Sequence, residues 1–132
     1  MQTEKITLRT TAHDELIDIT KKVQQFVLKS SQRNGMCYVF VPHTTAAVTI
    51  NENADPSVRR DIMYGLNTMV PRDAAYQHSE GNSAAHIKAT LLGFSLTLFI
   101  EDGQLALGTW QGIYFAEFDG PRTREVWVRV TS

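Results

Sequence analysis

Apolar positions along this chain fall mostly in short alternating or continuous runs, and helical spacing interrupts them in three places. Lys5 to Thr10 alternates polar and apolar residues, as a half-buried strand does, and Glu15 to Ile19 reads as a second short strand. Thr20 is expected to cap a helix to about Ser31, with Val23, Phe26 and Val27 on one face and Gly35 in the turn beyond. Met36 to Val41 and Ala46 to Asn51 are strand-like and flank a corner at Pro42, His43, Thr44 and Thr45. Asp55 and Pro56 give the clearest helix start, because aspartate is a favoured N-cap and proline at the first helical position gives up no needed hydrogen bond. Val58, Ile62, Leu66 and Met69 follow as the expected buried stripe.

Residues 70 to 81 lose all periodicity and form a polar stretch long enough to suspect a working loop. Asn82 or Ser83 then caps a helix through Leu92, ended by Gly93. The last forty or so residues return to strand rhythm. Phe94 to Glu101 meets a hairpin turn at Asp102 and Gly103, and strands are expected over Gln104 to Trp110, Ile113 to Phe118 and Glu125 to Val130. About eight strands with two or three helices, without βαβ alternation, predict an α+β fold built on a largely antiparallel sheet or sandwich.

Composition narrows the class. At 132 residues and 42% apolar content the chain is sized for a single domain, 1–132, with one core. Thirteen basic residues nearly balance fourteen acidic ones and never cluster, which argues against nucleic acid. No apolar run reaches signal-peptide or membrane-spanning length, so a cytoplasmic protein is expected. The single Cys37 lies in an apolar strand and reads as a small core residue.

Three of the four histidines occupy polar, turn-rich segments: His43 at the corner, His78 in the loop and His86 near the start of the third helix. Three imidazoles with an open fourth position suit catalytic zinc, although spacings of 35 and 8 residues match no local zinc motif. Ordinary surface or core histidines are the competing reading. His13, without polar company in the sequence, is expected to be exposed. Glu52 shares a strand face with Ile50 and needs a partner at the core edge, so it is a candidate general base or holder of a histidine. Asn51 stands beside it on the opposite face. Glu80, Gly81 and Asn82 lead into a helix whose N-terminus suits an anion such as phosphate, with Lys88 further along as a candidate charge or a solvated lysine. Trp110 and Gln111, between Gly108 and Gly112, form either a ring-stacking wall or a packed turn. Arg122 either clamps a phosphate or pairs with Asp119 across a turn.

Laid side by side, these segments resemble one family. The matching blocks are residues 40–46, 49–61, 78–88, 105–114 and 117–122, and they extend the match from about residue 35 to the C-terminus. The family is the YjbQ-like family, also described as the secondary thiamine-phosphate synthase family. The resemblance implies an α+β domain assembled as a homotrimer, with a polar pocket holding a divalent metal, zinc by its donors, or an anion. It assigns His43, His78 and His86 to that centre, and Asn51, Glu52, Asn82, Lys88, Gln111 and Arg122 to its polar wall.

The expected function is therefore a cytoplasmic enzyme acting on a small phosphorylated or anionic metabolite. In the version the family suggests, a pyrimidine-methyl diphosphate is joined to a thiazole phosphate with loss of pyrophosphate, Lys88 and Arg122 stabilising the leaving charge and Trp110 stacking on a ring. Pyrophosphate departure favours magnesium on oxygen ligands, whereas three imidazoles favour zinc, nickel or copper, which points to a side activity. The alternatives are zinc-assisted hydrolysis with Glu52 as base, and a non-catalytic metabolite- or metal-binding module.

Overall fold

The computed structural model describes residues 3–132. In chain order its elements are β1 (Thr3–Arg9), β2 (Glu15–Asp18), α1 (Thr20–Ser30), β3 (Gly35–Phe40), β4 (Ala46–Glu52), α2 (Pro56–Met69), α3 (Ser83–Leu92), β5 (Ser95–Glu101), β6 (Gln104–Leu105), β7 (Gln111–Glu117) and β8 (Thr123–Thr131). Five strands form one sheet in the order β1-β8-β3-β5-β6, three form another in the order β2-β7-β4, and every pairing is antiparallel. The architecture is the expected α+β one.

Strand alternation explains the layering. Cys37, Val39, Leu98, Ile100, Val126, Val128 and Val130 of the larger sheet meet Ala46, Val48, Ile113 and Phe115 of the smaller one, and α1 adds Val23, Phe26 and Val27 to the same core. The opposite face of the smaller sheet, with Leu16, Ala47, Tyr114 and Ala116, is covered by Leu66 of α2 and Ala85 and Ala89 of α3. β7 is thus enclosed on both sides, which is why its sequence is a continuous apolar run rather than an alternating one. Each fully buried Val, Ile or Phe contributes about 1.5–3 kcal/mol of transfer free energy, and β7 places Ile113 and Phe115 in one core and Tyr114 and Ala116 in the other.

Local signals were mostly honoured. Asp55 caps α2, its Oδ1 accepting the Ser57 amide at 2.9 Å, with Pro56 in the first turn. Asp102 and Gly103 both take positive φ, 52° and 79°, as a tight two-residue hairpin turn requires. Three expectations are corrected. Ile19, not Thr20, occupies the cap position of α1; the Thr20 hydroxyl donates to Asp18 and accepts the Ile113 amide, which ties the helix to β7. Of the stripe expected on α2 only Leu66 is buried; Val58 and Ile62 are half-buried, and Met69, at the helix end, is 69% exposed. The strand expected over Gln104 to Trp110 is only two residues long, after which the chain turns at Gly108 to enter the smaller sheet. No helix among the described residues is long and apolar enough to cross a membrane.

The outer face of the larger sheet is unusual. Tyr38, Phe40, Phe94 and Phe99 are between 38% and 60% exposed, and Phe40 packs edge-on against Phe94 and tilted against Trp127. A shallow hollow of about 420 Å³ lies on this face between Tyr38, Phe40, Trp127 and Arg129.

Candidate functional site

A polar cavity of about 500 Å³ opens where β7 and β8 connect the two sheets. His43 and Thr45 from the β3–β4 corner, His78 and Asn82 from the segment before α3, His86 from α3, Arg122 from the β7–β8 connection and Arg124 from the start of β8 line it. Five of the ten residues singled out from sequence, His43, His78, His86, Asn82 and Arg122, are therefore brought together. Smaller hollows adjoin it: one of about 290 Å³ shares His43 and His86 with it, and one of about 380 Å³ shares His78 and His86.

The floor is a buried ion pair. Glu117 is 0% and Arg124 3% exposed; Glu117 accepts from Arg124 Nε at 2.9 Å and Nη2, from Thr10 Oγ1 at 2.8 Å and from the Asp119 amide at 3.0 Å. Burial alone would raise the Glu117 pKa, but the hydrogen bonds from Arg124, Asp119 and Thr10 outweigh it and hold the carboxyl below the usual glutamate value. Arg124 also donates to Thr45 Oγ1 at 2.8 Å, fixing the corner that carries His43.

His43 accepts the Glu125 amide at Nε2, 2.9 Å away. A ring accepting at one nitrogen carries its proton on the other, so the neutral His43 presents an Nδ1–H donor. Desolvation, with the Arg124 charge second, lowers its pKa and keeps it neutral. His78 and His86 stand edge to face with ring centroids 5.4 Å apart. Among the described residues no three His, Cys, Asp or Glu side chains form a group able to hold a metal ion. Holding a metal through His43 would require its ring to release the Glu125 amide or to lose both protons.

The rim carries Asp119. Its Oδ2 accepts from Asn82 Nδ2 at 2.9 Å and from Arg122 Nη2 at 3.1 Å, while Arg122 Nε donates to the Asp119 carbonyl at 2.9 Å. The pairing of Arg122 with Asp119, one of the two readings of that arginine, is present.

The other five residues lie elsewhere. Asn51 and Glu52 are at the far end of β4, six residues from Ala46 and so on the order of 20 Å away along the strand. Glu52 Oε2 accepts the Asp55 amide at 3.3 Å, and its carbonyl accepts the Tyr114 hydroxyl at 3.0 Å; it organises the start of α2. Asn51 Oδ1 accepts the amide of Glu52. Gln111 Oε1 accepts the Gly108 amide at 2.8 Å, and Trp110 is 63% exposed beside it, at the same remote end. Lys88 is 0% exposed, inside the helical layer rather than on the cavity wall: Nζ donates to Asn67 Oδ1, lies 3.5 Å from Asp14 Oδ1 and sits over the Phe118 ring. Cys37 is a core residue, as expected, with burial pushing its thiol up to about 12.

Sequence reasoning passed over Arg124 and Glu117 and set His13 aside as a surface residue. The first two carried a signal: Arg124 shares a strand face with Val126, Val128 and Val130, and Glu117 with Ile113 and Phe115. A charge at a core-facing register needs a partner, and the two are each other's. His13 is not the companionless surface residue expected. Its Nδ1 lies 3.1 Å from Asp14 and its Nε2 3.9 Å from Asp119.

Comparison with known proteins places this fold among similar chains and solved structures. It is 50% identical over 126 residues to a UPF0047 protein of Methanocaldococcus jannaschii, covering 96% of this chain and 91% of that one, and 46% identical to the UPF0047 protein YugU of Bacillus subtilis, covering 93% and 94%. A crystal structure from Clostridium acetobutylicum, of an uncharacterised conserved protein of the YjbQ/UPF0047 family, superposes with a TM-score of 0.96 at 54% identity over 97% of this chain and 99% of that one. A second, from Sulfolobus solfataricus and described as a YbjQ-like protein of unknown function, gives 0.94 at 36% identity over 98% and 95%. The model of the UPF0047 YjbQ-like proteins matches residues 4–132, and the chain belongs to that family.

Proposed function

We propose that the cavity binds the anionic, phosphate-like end of a small metabolite, and that the chain is an enzyme transforming it, with imidazoles as donors and proton carriers. The observation that carries this reading is the Glu125 amide on His43 Nε2, which leaves Nδ1–H as the uncommitted donor of a ring that lines the cavity. An N–H donor recognises an anion. His78, His86 and the two arginines supply further donors in the same cavity. Its volume, about 500 Å³ with adjoining hollows, exceeds a bare phosphate and matches the usual range for small-molecule sites. Formation of thiamine phosphate is one reaction to assay, because a departing diphosphate is the kind of charge that Arg122 and Arg124 would stabilise.

Zinc remains the alternative occupant by donor chemistry. Hydrolysis with Glu52 as base has no support within one chain, given the position of that residue at the far end of β4. The same pocket without turnover would be a binding module. Calorimetric titration with inorganic phosphate and pyrophosphate, beside elemental mass spectrometry of untagged protein, tests the proposal. Saturable binding, weakened by about tenfold or more in Arg122→Ala and in His86→Ala, is expected. No binding, or about one metal ion per chain lost in the His43→Ala/His86→Ala variant, would overturn it.

We further propose that the chain self-associates, a trimer being the form the family resemblance implies. The aromatic outer face of the larger sheet supports this, since patches of that kind on soluble proteins mark interaction surfaces.

A further inference from the structure

A chain of charges runs behind the cavity, from the helical layer to its rim. Lys88 is fully buried against Asn67, Asp14 and the Phe118 ring. Asp14 is shared: Oδ2 accepts from Asn67 Nδ2 at 3.2 Å, and Oδ1 faces both Lys88 and His13 Nδ1. His13 Nε2 looks in turn at Asp119 Oδ1, the oxygen opposite the one held by Asn82 and Arg122. The order is Lys88, Asp14, His13, Asp119, Arg122, alternating in sign if the middle ring is charged. His13 Nδ1 is within hydrogen-bond reach of Asp14 at 3.1 Å, while Nε2 is 3.9 Å from Asp119, too long for a hydrogen bond but close enough for an ion pair when the ring is the imidazolium.

This arrangement matters because Asp119 competes with any incoming anion for Arg122. Resting on the binding reading above, we propose that His13 is a positioning residue of the anion pocket, acting through Asp119. As imidazolium it draws Asp119 back and leaves Arg122 available to the ligand. As neutral imidazole it turns a lone pair towards one of its two carboxylates, and Asp119 relies on Arg122 and Asn82 alone. Anion binding is then coupled to protonation of His13. The charged groups that set this balance are Asp14 on its own loop, Asp119 and Arg122 on the β7–β8 connection, and Lys88 on α3. Asn67 of α2 is neutral.

Sulfate is the probe, because it stays a dianion across the range in which histidine titrates, about pH 5 to 8. Its affinity for the intact protein is expected to fall as pH rises, with His13 contributing a slope of up to about tenfold per pH unit. His13→Gln removes that contribution and leaves the part due to the other histidines. In Asp119→Asn, sulfate binds more tightly and adding His13→Gln changes nothing further, since the residue through which His13 acts has lost its charge. Should His13→Gln fold poorly, NMR of the His13 ring in the unmodified protein gives the same answer, as saturating sulfate must move its titration to higher pH. Sulfate binding with the same pH slope in His13→Gln, or a His13 titration unmoved by sulfate, would overturn the coupling alone. Failure of the unmodified protein to bind sulfate or phosphate at any pH would overturn the pocket reading and this one with it.

Discussion

Replacing Glu117 by Gln tests whether the buried pair under the cavity holds the corner together. The substitution is nearly isosteric, so packing is kept while one acceptor oxygen becomes a donor and the negative charge is lost. Glu117 accepts four hydrogen bonds, and its partner Arg124 is 3% exposed. The variant therefore leaves a buried guanidinium uncompensated, for which about 3–5 kcal/mol is the expected cost. With an unfolding entropy near 2.1 cal/mol/K per residue over 132 residues, this lowers Tm by roughly 10–18 °C. The pH dependence follows in sign. Because the folded pKa of Glu117 is depressed, its contribution is complete above the usual glutamate value, about 4.3, and is lost as pH falls through the folded value. The gap between the two proteins should be widest near neutrality and close in acid. Replacing both partners with Leu and Met should recover much of the loss, since apolar pairs often substitute for buried ion pairs. Calorimetric and urea unfolding at fixed protein concentration provide the assay. A loss below about 1 kcal/mol, or a gap that does not change with pH, would refute the reasoning.

Other expectations are briefer. Arg122→Ala, by removing a charge-assisted hydrogen bond on the rim, should weaken phosphate binding by about tenfold or more with little change in Tm; calorimetry checks the first and thermal scanning the second. Phe40→Ser with Trp127→Ala should reduce the mass by light scattering from that of an oligomer towards one chain, and an unmodified protein already at one-chain mass would remove the self-association proposal. Cys37, with its thiol near 12, should be inert to a thiol reagent at pH about 8 until denaturant is added, because the thiolate fraction is then on the order of one in ten thousand.

The fold was legible because its signals are local: the Asp55 cap, the Asp102–Gly103 turn and the alternation of β5 and β8 each need only neighbouring residues. Thr20 was misread because its contact with β7, distant in sequence, decides its role, and the Gln104 to Trp110 segment because the local turn between Gly108 and Gln111 ends the strand early. The site divides in the same way. His43, His78 and His86 stood out by chemistry and placement, but nothing in their spacing says that β4 carries Glu52 away from them. Lys88 resembled a surface lysine because the carboxylate that it meets, on Asp14, comes from a loop 74 positions earlier.

The cavity's two walls rest on different foundations. His43, Thr45 and Arg124 belong to strands or to corners bonded to strands, the Thr45 carbonyl accepting the Phe118 amide in continuation of the β4–β7 ladder and Arg124 Nη2 from β8 of the other sheet. Among the described residues, the segment from Pro71 to Asn82 that brings His78 has two backbone bonds of its own, Tyr76 to Ala74 and Gly81 to His78. Amide exchange should separate these walls, the first opening only when the molecule unfolds globally and the second opening locally. A ligand gripping both would transfer part of the first wall's rigidity to the second. Slowed exchange confined to residues 71–82 on adding a candidate metabolite would therefore identify a ligand before any reaction is known, so the protein carries its own screening signal.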